Sequence, residues 1–142
     1  MKFVRTVTVA KPLTTVFAYL ADFTTTTEWD PATVRTDRLE GDGGVGTRYR
    51  NVSRFMGREA AVDYVVTELE PERRLALRGE NATLVAHDVM TFEGDEGRTT
   101  VTYAATFDLK GAWRAATALL TPALGRLVDR GSAGLRDALG RL

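Results

Sequence analysis

An aspartate on an otherwise apolar strand face is the first candidate for chemistry in this sequence. Residues 83–93 read as a strand, and alternate positions of a strand share one face. The more apolar face consists of Leu84, Ala86, Asp88, Met90 and Phe92. A carboxylate on such a face is costly unless it is paired or protonated, and its pKa commonly rises. Asp88 is therefore predicted to be a catalytic acid or base; the alternatives are an arginine partner at the rim or an inverted face assignment.

Tyr103 is the predicted catalytic partner of Asp88. It belongs to the strand 98–109, where the apolar and aromatic side chains fall on one face and threonines fall on the other. Tyr64, on the predicted inward face of strand 59–69, is the alternative partner. His87 is next to Asp88 and is expected to face solvent, because neighbouring strand residues point to opposite faces.

The remaining inward positions form a mostly apolar wall with a few polar groups, which is typical of a ligand pocket. For each tyrosine the alternative is simple packing with the hydroxyl bonded to the backbone. The last two members of the predicted set come from the apolar stripe of the C-terminal helix. The predicted ligand-binding residues are Tyr49, Asn51, Tyr64, Met90, Phe92, Phe107, Trp113 and Leu120.

Composition excludes several kinds of site. The sequence has no cysteine and one histidine, so disulfides, thiolate catalysis and multi-histidine metal sites are ruled out. We predict neither a metal site nor a cofactor. The segment Gly41–Gly46 matches the dinucleotide pattern Gly-x-Gly-x-x-Gly, but a strand follows it where that mechanism needs a helix N-terminus. The segment is therefore predicted to be a hairpin turn.

The net charge of the chain and the length of its apolar runs restrict which partners we expect. Nineteen basic and nineteen acidic residues cancel, which gives no reason to expect nucleic acid as a partner. The local basic excess after Lys110 is interpreted as a solvated helix face. No run approaches the roughly 20 apolar residues of a membrane span, and the N-terminus lacks the apolar segment of a signal peptide. We expect one cytoplasmic domain over residues 1–142, and the sequence leaves open whether it is a monomer or a dimer.

These residues must be positioned by an α+β fold. A strand over 3–9 is followed by two short helices, the first starting at Pro12 and the second ending before Asp30-Pro31. Short turns then separate six strands, which forces antiparallel neighbours. The predicted strands are 33–40, 46–56, 59–69, 73–79, 83–93 and 98–109. An amphipathic helix follows Gly111, and Pro122 is expected to kink or divide it near Thr121.

Several segments resemble the START-like, or SRPBCC, superfamily. Val7 to Asp22 followed by Trp29-Asp30-Pro31 resembles its opening, and residues 68–75, 91–93 and 97–103 resemble its middle and late strands. The resemblance implies a helix-grip fold: a seven-stranded curved antiparallel sheet around a long C-terminal helix, with an apolar cavity between them. It is closest to the group named polyketide cyclase/dehydrase and lipid transport.

Three functions fit this reading. The first is a binding or carrier protein that holds a small hydrophobic molecule, such as a lipid, a quinone or a polyketide-like compound, between the sheet and the C-terminal helix. The second is a cyclase or dehydratase acting on a cyclic or polyketide-like carbonyl compound, with Asp88 and a tyrosine transferring protons. The third is a protein-interaction module whose interior is only a core. The resemblance favours the first two and does not separate them.

Overall fold

Seven antiparallel strands form one sheet in the computed structural model, which describes residues 1–142. The order across the sheet is β1-β7-β6-β5-β4-β3-β2, so β2 to β7 form a meander and β1 pairs with the last strand. The strands are β1 (Lys2–Val9), β2 (Thr33–Glu40), β3 (Arg48–Phe55), β4 (Arg58–Glu70), β5 (Arg74–Glu80), β6 (Leu84–Gly94) and β7 (Thr99–Leu109).

The helices lie where the helix-grip prediction placed them. Helix α1 (Leu13–Ala21) follows β1, and a 3₁₀ turn over Phe23–Thr25 leads into the short α2 (Thr26–Trp29). After β7 a 3₁₀ segment over Gly111–Ala116 leads into the long α3 (Thr117–Gly140). The predicted fold class is confirmed: a curved seven-stranded antiparallel sheet with two short helices after the first strand and a long C-terminal helix.

The hairpin between β3 and β4 shows how local sequence fixes the meander. Its two turn residues, Met56 and Gly57, have φ values of 51° and 78°. Two consecutive positive φ values are the signature of the type I′ turn, whose twist matches that of the flanking strands. Gly57 adopts this conformation freely, whereas Met56 is a side-chain-bearing residue held in the left-handed region.

Of the two outcomes predicted near Thr121, a division of the C-terminal helix is wrong, and a kink stays a prediction. Helix α3 runs through Pro122 without division, and the irregular segment is instead the 3₁₀ turn that precedes it. Pro122 lies in the second turn, so its ring nitrogen removes one hydrogen bond near the N-terminus of the helix. The Thr121 hydroxyl donates to the Thr117 carbonyl at 2.6 Å and satisfies one neighbouring acceptor. The remaining turns of the helix are held by packing.

The core fills one end of the groove between the sheet and the helices. Phe17 of α1 contacts Phe92 of β6 edge-on, with ring centroids 4.9 Å apart. Leu135 and Leu139 of α3 are fully buried against the same cluster, as is Val7. Side chains pack closely at this end of the groove.

Strand alternation assigned the faces correctly. Ala86, Asp88, Met90 and Phe92 are buried on the inner face of β6, and His87 is exposed on the outer face. None of the helices combines the length and the apolar character needed to cross a bilayer.

Candidate functional site

A cavity of about 80 Å³ lies at the other end of the groove, under the middle of α3. Strands β3, β4, β6 and β7 form its floor, α2 and the loop after it form one side, and α3 forms its roof. The lining residues are Phe23, Thr26, Trp29, Asp30, Asn51, Ser53, Tyr64, Asp88, Tyr103, Phe107, Leu127, Val128, Gly131 and Ser132. This volume holds a few water molecules or one small ring, and it is smaller than a typical pocket for a whole ligand.

Asp88 lies on the floor of this cavity and is 6% exposed. Burial raises the pKa of Asp88 to about 7, although the neighbouring Tyr103 side chain opposes the rise. The pKa of Tyr103 is raised well above its ordinary value, chiefly by burial and also by the nearby Asp88 charge. Tyr103 therefore remains a protonated hydrogen-bond donor near neutral pH. Asp88 exists there in both protonation states and can accept or donate a proton.

A second carboxyl group, Asp30, borders the same cavity, and sequence reasoning missed it. Burial raises the pKa of Asp30, while hydrogen bonds from the Ala32 N–H and the Thr33 hydroxyl oppose the rise. The negative charge of Asp30 contributes to the raised pKa values of both Asp88 and Tyr103. The sequence showed Asp30 only as the end of a helix before Pro31. Nothing local indicated that the chain folds it over β6.

The wall next to Asp30 is a connected polar network. Asn51 Nδ2 donates to the Thr33 hydroxyl at 3.1 Å and to the Thr36 hydroxyl at 2.9 Å. The Ser53 hydroxyl donates to Asn51 Oδ1 at 2.6 Å. Thr33 in turn donates to Asp30 Oδ2 at 3.1 Å. The network fixes the Asn51 amide and the Asp30 carboxylate in place, which a preorganised site requires.

Aromatic rings form the rest of the enclosure. Trp29 meets Tyr103 edge-on at 6.1 Å between centroids, and Phe23 contacts Tyr64 at 5.0 Å. Burial raises the pKa of Tyr64 well above its ordinary value, so its hydroxyl stays protonated. Every fully enclosed polar side-chain atom in the structure has a hydrogen-bond partner. The Tyr64 hydroxyl forms no hydrogen bond with the protein groups that shift its pKa, and Tyr64 lines the cavity. A ligand in the cavity is therefore the partner available to this hydroxyl.

Helix α3 approaches the site closely because glycines face it. A Cβ atom at Gly134 would lie 1.9 Å from the backbone oxygen of Trp29, so no larger residue fits there without a shift. One turn earlier, a Cβ at Gly131 would lie 3.8 Å from Asp30 Oδ1. By helix propensity alone, glycines inside a helix weaken it. Their real signal was the three-residue spacing, which puts them on one face of the helix.

The structure brings half of the predicted catalytic and ligand-binding residues together. Asp88, Tyr103, Asn51, Tyr64 and Phe107 all line the cavity. The others lie elsewhere: Tyr49, Met90 and Phe92 belong to the buried core, Trp113 is 54% exposed in the 3₁₀ segment, and Leu120 is half-buried early in α3. Ligand binding by any of these residues stays a prediction.

A larger hollow lies outside the cavity, between the β3–β4 hairpin and α3. We call it the vestibule; its volume is about 470 Å³. Leu127 borders both the vestibule and the cavity. The vestibule is lined by Pro31, Ala32, Arg54, Phe55, Met56, Gly57, Ala123, Arg126, Leu127 and Arg130.

No group of three or more histidine, cysteine, aspartate or glutamate side chains could hold a metal ion. Asp30 and Asp88 are the carboxyl groups of the cavity. These two carboxyl groups can transfer protons and form hydrogen bonds.

Residues 1–140 match the family described as polyketide cyclase / dehydrase and lipid transport. The chain belongs to this family. The predicted resemblance to the polyketide cyclase/dehydrase and lipid transport group is thereby confirmed over almost the whole chain. No curated protein matches the sequence.

Solved structures share the fold at low sequence identity. The Zhui aromatase/cyclase from Streptomyces sp. R1128 superimposes with a TM-score of 0.85 at 20% identity, covering 99% of this chain and 94% of that one. TTHA0849 from Thermus thermophilus gives 0.81 at 16% identity, covering 96% and 95%. A START superfamily protein from Mycobacterium smegmatis gives 0.76 at 14% identity, covering 98% and 94%. At these identities the likeness shows the fold alone.

Proposed function

We propose that this protein binds a small cyclic or polyketide-like carbonyl compound in the cavity and catalyses proton transfer on it, as an aromatase/cyclase-type enzyme. The observation that carries the proposal is the pairing of Asp88 with Tyr103 on the floor of an aromatic-walled cavity. A buried carboxyl group whose pKa lies near 7 is costly to the fold, and such groups concentrate at catalytic sites.

The proposed reaction begins with proton abstraction next to a carbonyl group. The Asp88 carboxylate takes a proton from the carbon beside the carbonyl, and the C–H electron pair becomes an enolate. The Tyr64 hydroxyl donates a hydrogen bond to the carbonyl oxygen, where negative charge develops. Tyr103 holds the Asp88 carboxylate in position by hydrogen bonding.

Ring closure follows within the same substrate molecule. The enolate carbon attacks a second carbonyl carbon, and a carbon–carbon bond forms as the second oxygen becomes an alkoxide. Protonated Asp88 returns its proton to that alkoxide, so the enzyme ends as it began and the product is an isomer of the substrate. Loss of water from the product then gives an unsaturated or aromatic ring. The enclosure contributes by holding a flexible chain in the reactive conformation.

The size of the cavity restricts the reacting part of the substrate to about one ring. The Trp29 and Phe107 side chains offer flat apolar surfaces to such a ring. A longer substrate places its remaining atoms in the vestibule, which the Leu127 side chain borders on the other side.

Binding without chemistry is the second candidate function. Seven of the fourteen cavity-lining residues are hydrophobic, which suits a carrier of a small apolar molecule such as a quinone or a lipid fragment. In that case Asp88 and Asp30 serve as hydrogen-bonding groups for the ligand. The small volume disfavours a long acyl chain lying wholly inside the cavity.

Deuterium exchange separates the two candidates. We would incubate cyclohexanone, a neutral ketone of a single ring, with the protein in D₂O and follow loss of the α-protons by NMR. We expect exchange faster than in buffer, with a rate that changes around pH 7 as Asp88 titrates. Asp88→Asn should lower the enzyme-dependent rate about 100-fold or more, the usual weight of a general base.

The matched control is Asp108→Asn, which changes an exposed aspartate on the outer side of β7. This variant should exchange at the wild-type rate. Ligand-induced NMR shifts without accelerated exchange would support binding without chemistry. Absence of both shifts and exchange would contradict the cavity as a site for this class of compound.

A further inference from the structure

The vestibule has an unusual charge for a protein without net charge. Three arginines line it, Arg54, Arg126 and Arg130, and no acidic residue does. Arg126 and Arg130 are one helical turn apart on the same face of α3 as Leu127. The arginines therefore surround one hollow instead of being scattered over the surface.

Most of this positive charge is not neutralised by the protein. Arg54 forms an ion pair with Glu59 at 3.3 Å, whereas neither Arg126 nor Arg130 belongs to any of the eight ion pairs of the structure. Asp129 lies between them in sequence but binds Arg5 at 2.6 Å. Like charges in a shared hollow repel each other, and an anion would relieve that repulsion.

The chemistry of arginine defines the kind of anion. A guanidinium group presents a planar set of donors that matches a carboxylate or a phosphate in two-point hydrogen bonding. A sulfonate has similar oxygen geometry and serves as a probe. The apolar residues of the vestibule, Phe55, Met56 and Leu127, leave room beside the arginines for hydrocarbon.

We infer that the vestibule is an anion subsite: the ligand carries a carboxylate or phosphate that Arg126 and Arg130 bind while its apolar ring enters the cavity. Leu127 lines both spaces, so they lie within one side chain of each other, and the inferred ligand passes this side chain to occupy both. The inference rests on the proposed function in that it needs a ring in the cavity. It adds the chemical class of the substrate, an acidic amphipathic molecule.

Two fluorescent probes test the subsite directly. N-phenyl-1-naphthylamine is neutral, and 8-anilinonaphthalene-1-sulfonate is the same framework with a sulfonate. Dissociation constants for both are measured with wild-type protein and with the double variant Arg126→Gln/Arg130→Gln. The ratio of the two constants isolates the contribution of the anionic group, because differences in apolar affinity cancel.

We expect the double variant to lose about tenfold or more of the preference for the sulfonate, as the removal of charge-assisted hydrogen bonds predicts. Its affinity for the neutral probe should change less than about twofold. Arg136→Gln is the matched control, because Arg136 is exposed and makes no ion pair but lies outside the vestibule. Added salt should weaken the sulfonate preference of wild type and control alike.

Other outcomes overturn the inference in distinguishable ways. Neutral-probe binding with an unchanged sulfonate ratio in the double variant overturns the anion subsite and leaves the proposed function standing. Binding of neither probe overturns the anion subsite, whereas the proposed function is overturned by the absence of both ketone exchange and ketone-induced shifts. Competition identifies the source of the anion: displacement of the sulfonate probe by 2-naphthoate supports a small acidic ligand. In another outcome, the protein sediments with phosphatidylglycerol vesicles only when the arginines are present, while the ratio of the two probe dissociation constants is the same in wild type and double variant. That outcome assigns the arginines to a membrane surface and overturns the subsite.

Discussion

One end of the groove under α3 is filled, and the other end is hollow. At the filled end, α1 and the C-terminal half of α3 press Phe17, Leu135 and Leu139 against the sheet. At the hollow end, helix α1 contributes no residue to the lining of the cavity. Helix α3 places Gly131 and Ser132 above it. The strand faces differ as well: the filled end has Met90, Phe92 and Val101, whereas the hollow end has Asn51, Ser53 and Asp88. The hollow end therefore combines polar strand residues with small residues of α3.

The contrast explains why apolar periodicity alone does not identify a binding site. Met90 and Phe92 share a strand face with Asp88, yet they lie under α1 and belong to the core. Asp88 lies earlier in the same strand, where the middle of α3 is the covering element. A single strand thus contributes to stability at one end and to the candidate site at the other.

The prediction with the largest expected effect compares how much a ring at the filled end and a ring at the hollow end of the groove contribute to the free energy of unfolding. Phe92→Ala should lower the free energy of unfolding by about 3–5 kcal/mol, because it opens a hole in close-packed surroundings. Phe107→Ala removes a half-buried ring that already borders a cavity, so we expect a loss below about 2 kcal/mol. Urea denaturation measures both. Equal losses would show that the hollow end is packed as tightly as the filled end.

The second prediction concerns the cost of the buried acid. Between pH 4 and pH 7 Asp88 is ionised in the unfolded chain and protonated in the folded one, because burial raises its pKa to about 7. Folding then takes up a proton, so stability falls as the pH rises and the penalty is complete above pH 7. Asp88→Asn should therefore stabilise the protein by about 3 kcal/mol more at pH 8 than at pH 5.

Thermal or urea unfolding of wild type and variant at the two pH values measures this difference. Asp108→Asn, at an exposed outer position of β7, should show a difference near zero. A pH-independent effect of Asp88→Asn would mean that Asp88 is ionised throughout and is not the proton-transferring group.

The smallest effect tests the close approach of α3 to the site. Gly134→Ala should cost about 1–3 kcal/mol, because the new Cβ would meet the Trp29 carbonyl and the helix must move. It should also change the near-ultraviolet signal of Trp29. Gly140→Ala is the control, since nothing lies within 4 Å of its Cβ position, and it should be neutral or stabilising. A stabilising Gly134→Ala would show that α3 is free to stand farther from the loop.

Local patterns were sufficient for the strands and their faces. Alternation placed Asp88 and Tyr103 on the inner face because side-chain direction in a strand has a period of two residues whatever covers the strand. Turn residues such as Met56-Gly57 fixed the meander in the same local way. The continuity of α3 through Pro122 shows the limit of local patterns, because packing along the helix outweighs the loss of one hydrogen bond.

The residues that make up the site were harder to predict from the sequence. Asp30 and Trp29 end a short helix in the sequence, and only the path of the chain brings them over Asp88 and Tyr103. Arg126 and Arg130 fall within the basic excess that we interpreted as a solvated helix face, and nothing in the sequence linked Arg54 to them. Their convergence on the vestibule depends on how α3 lies across the β3–β4 hairpin.

The sequence by itself determined the element order, the antiparallel meander, the inward faces and the identity of one buried acid, because each follows from interactions between residues close in the chain. The tertiary structure decided which inward residues became core and which became cavity, and it supplied Asp30, the glycine face of α3 and the arginines of the vestibule. These features depend on contacts between distant segments, and the choice among such contacts is made by packing the whole chain at once.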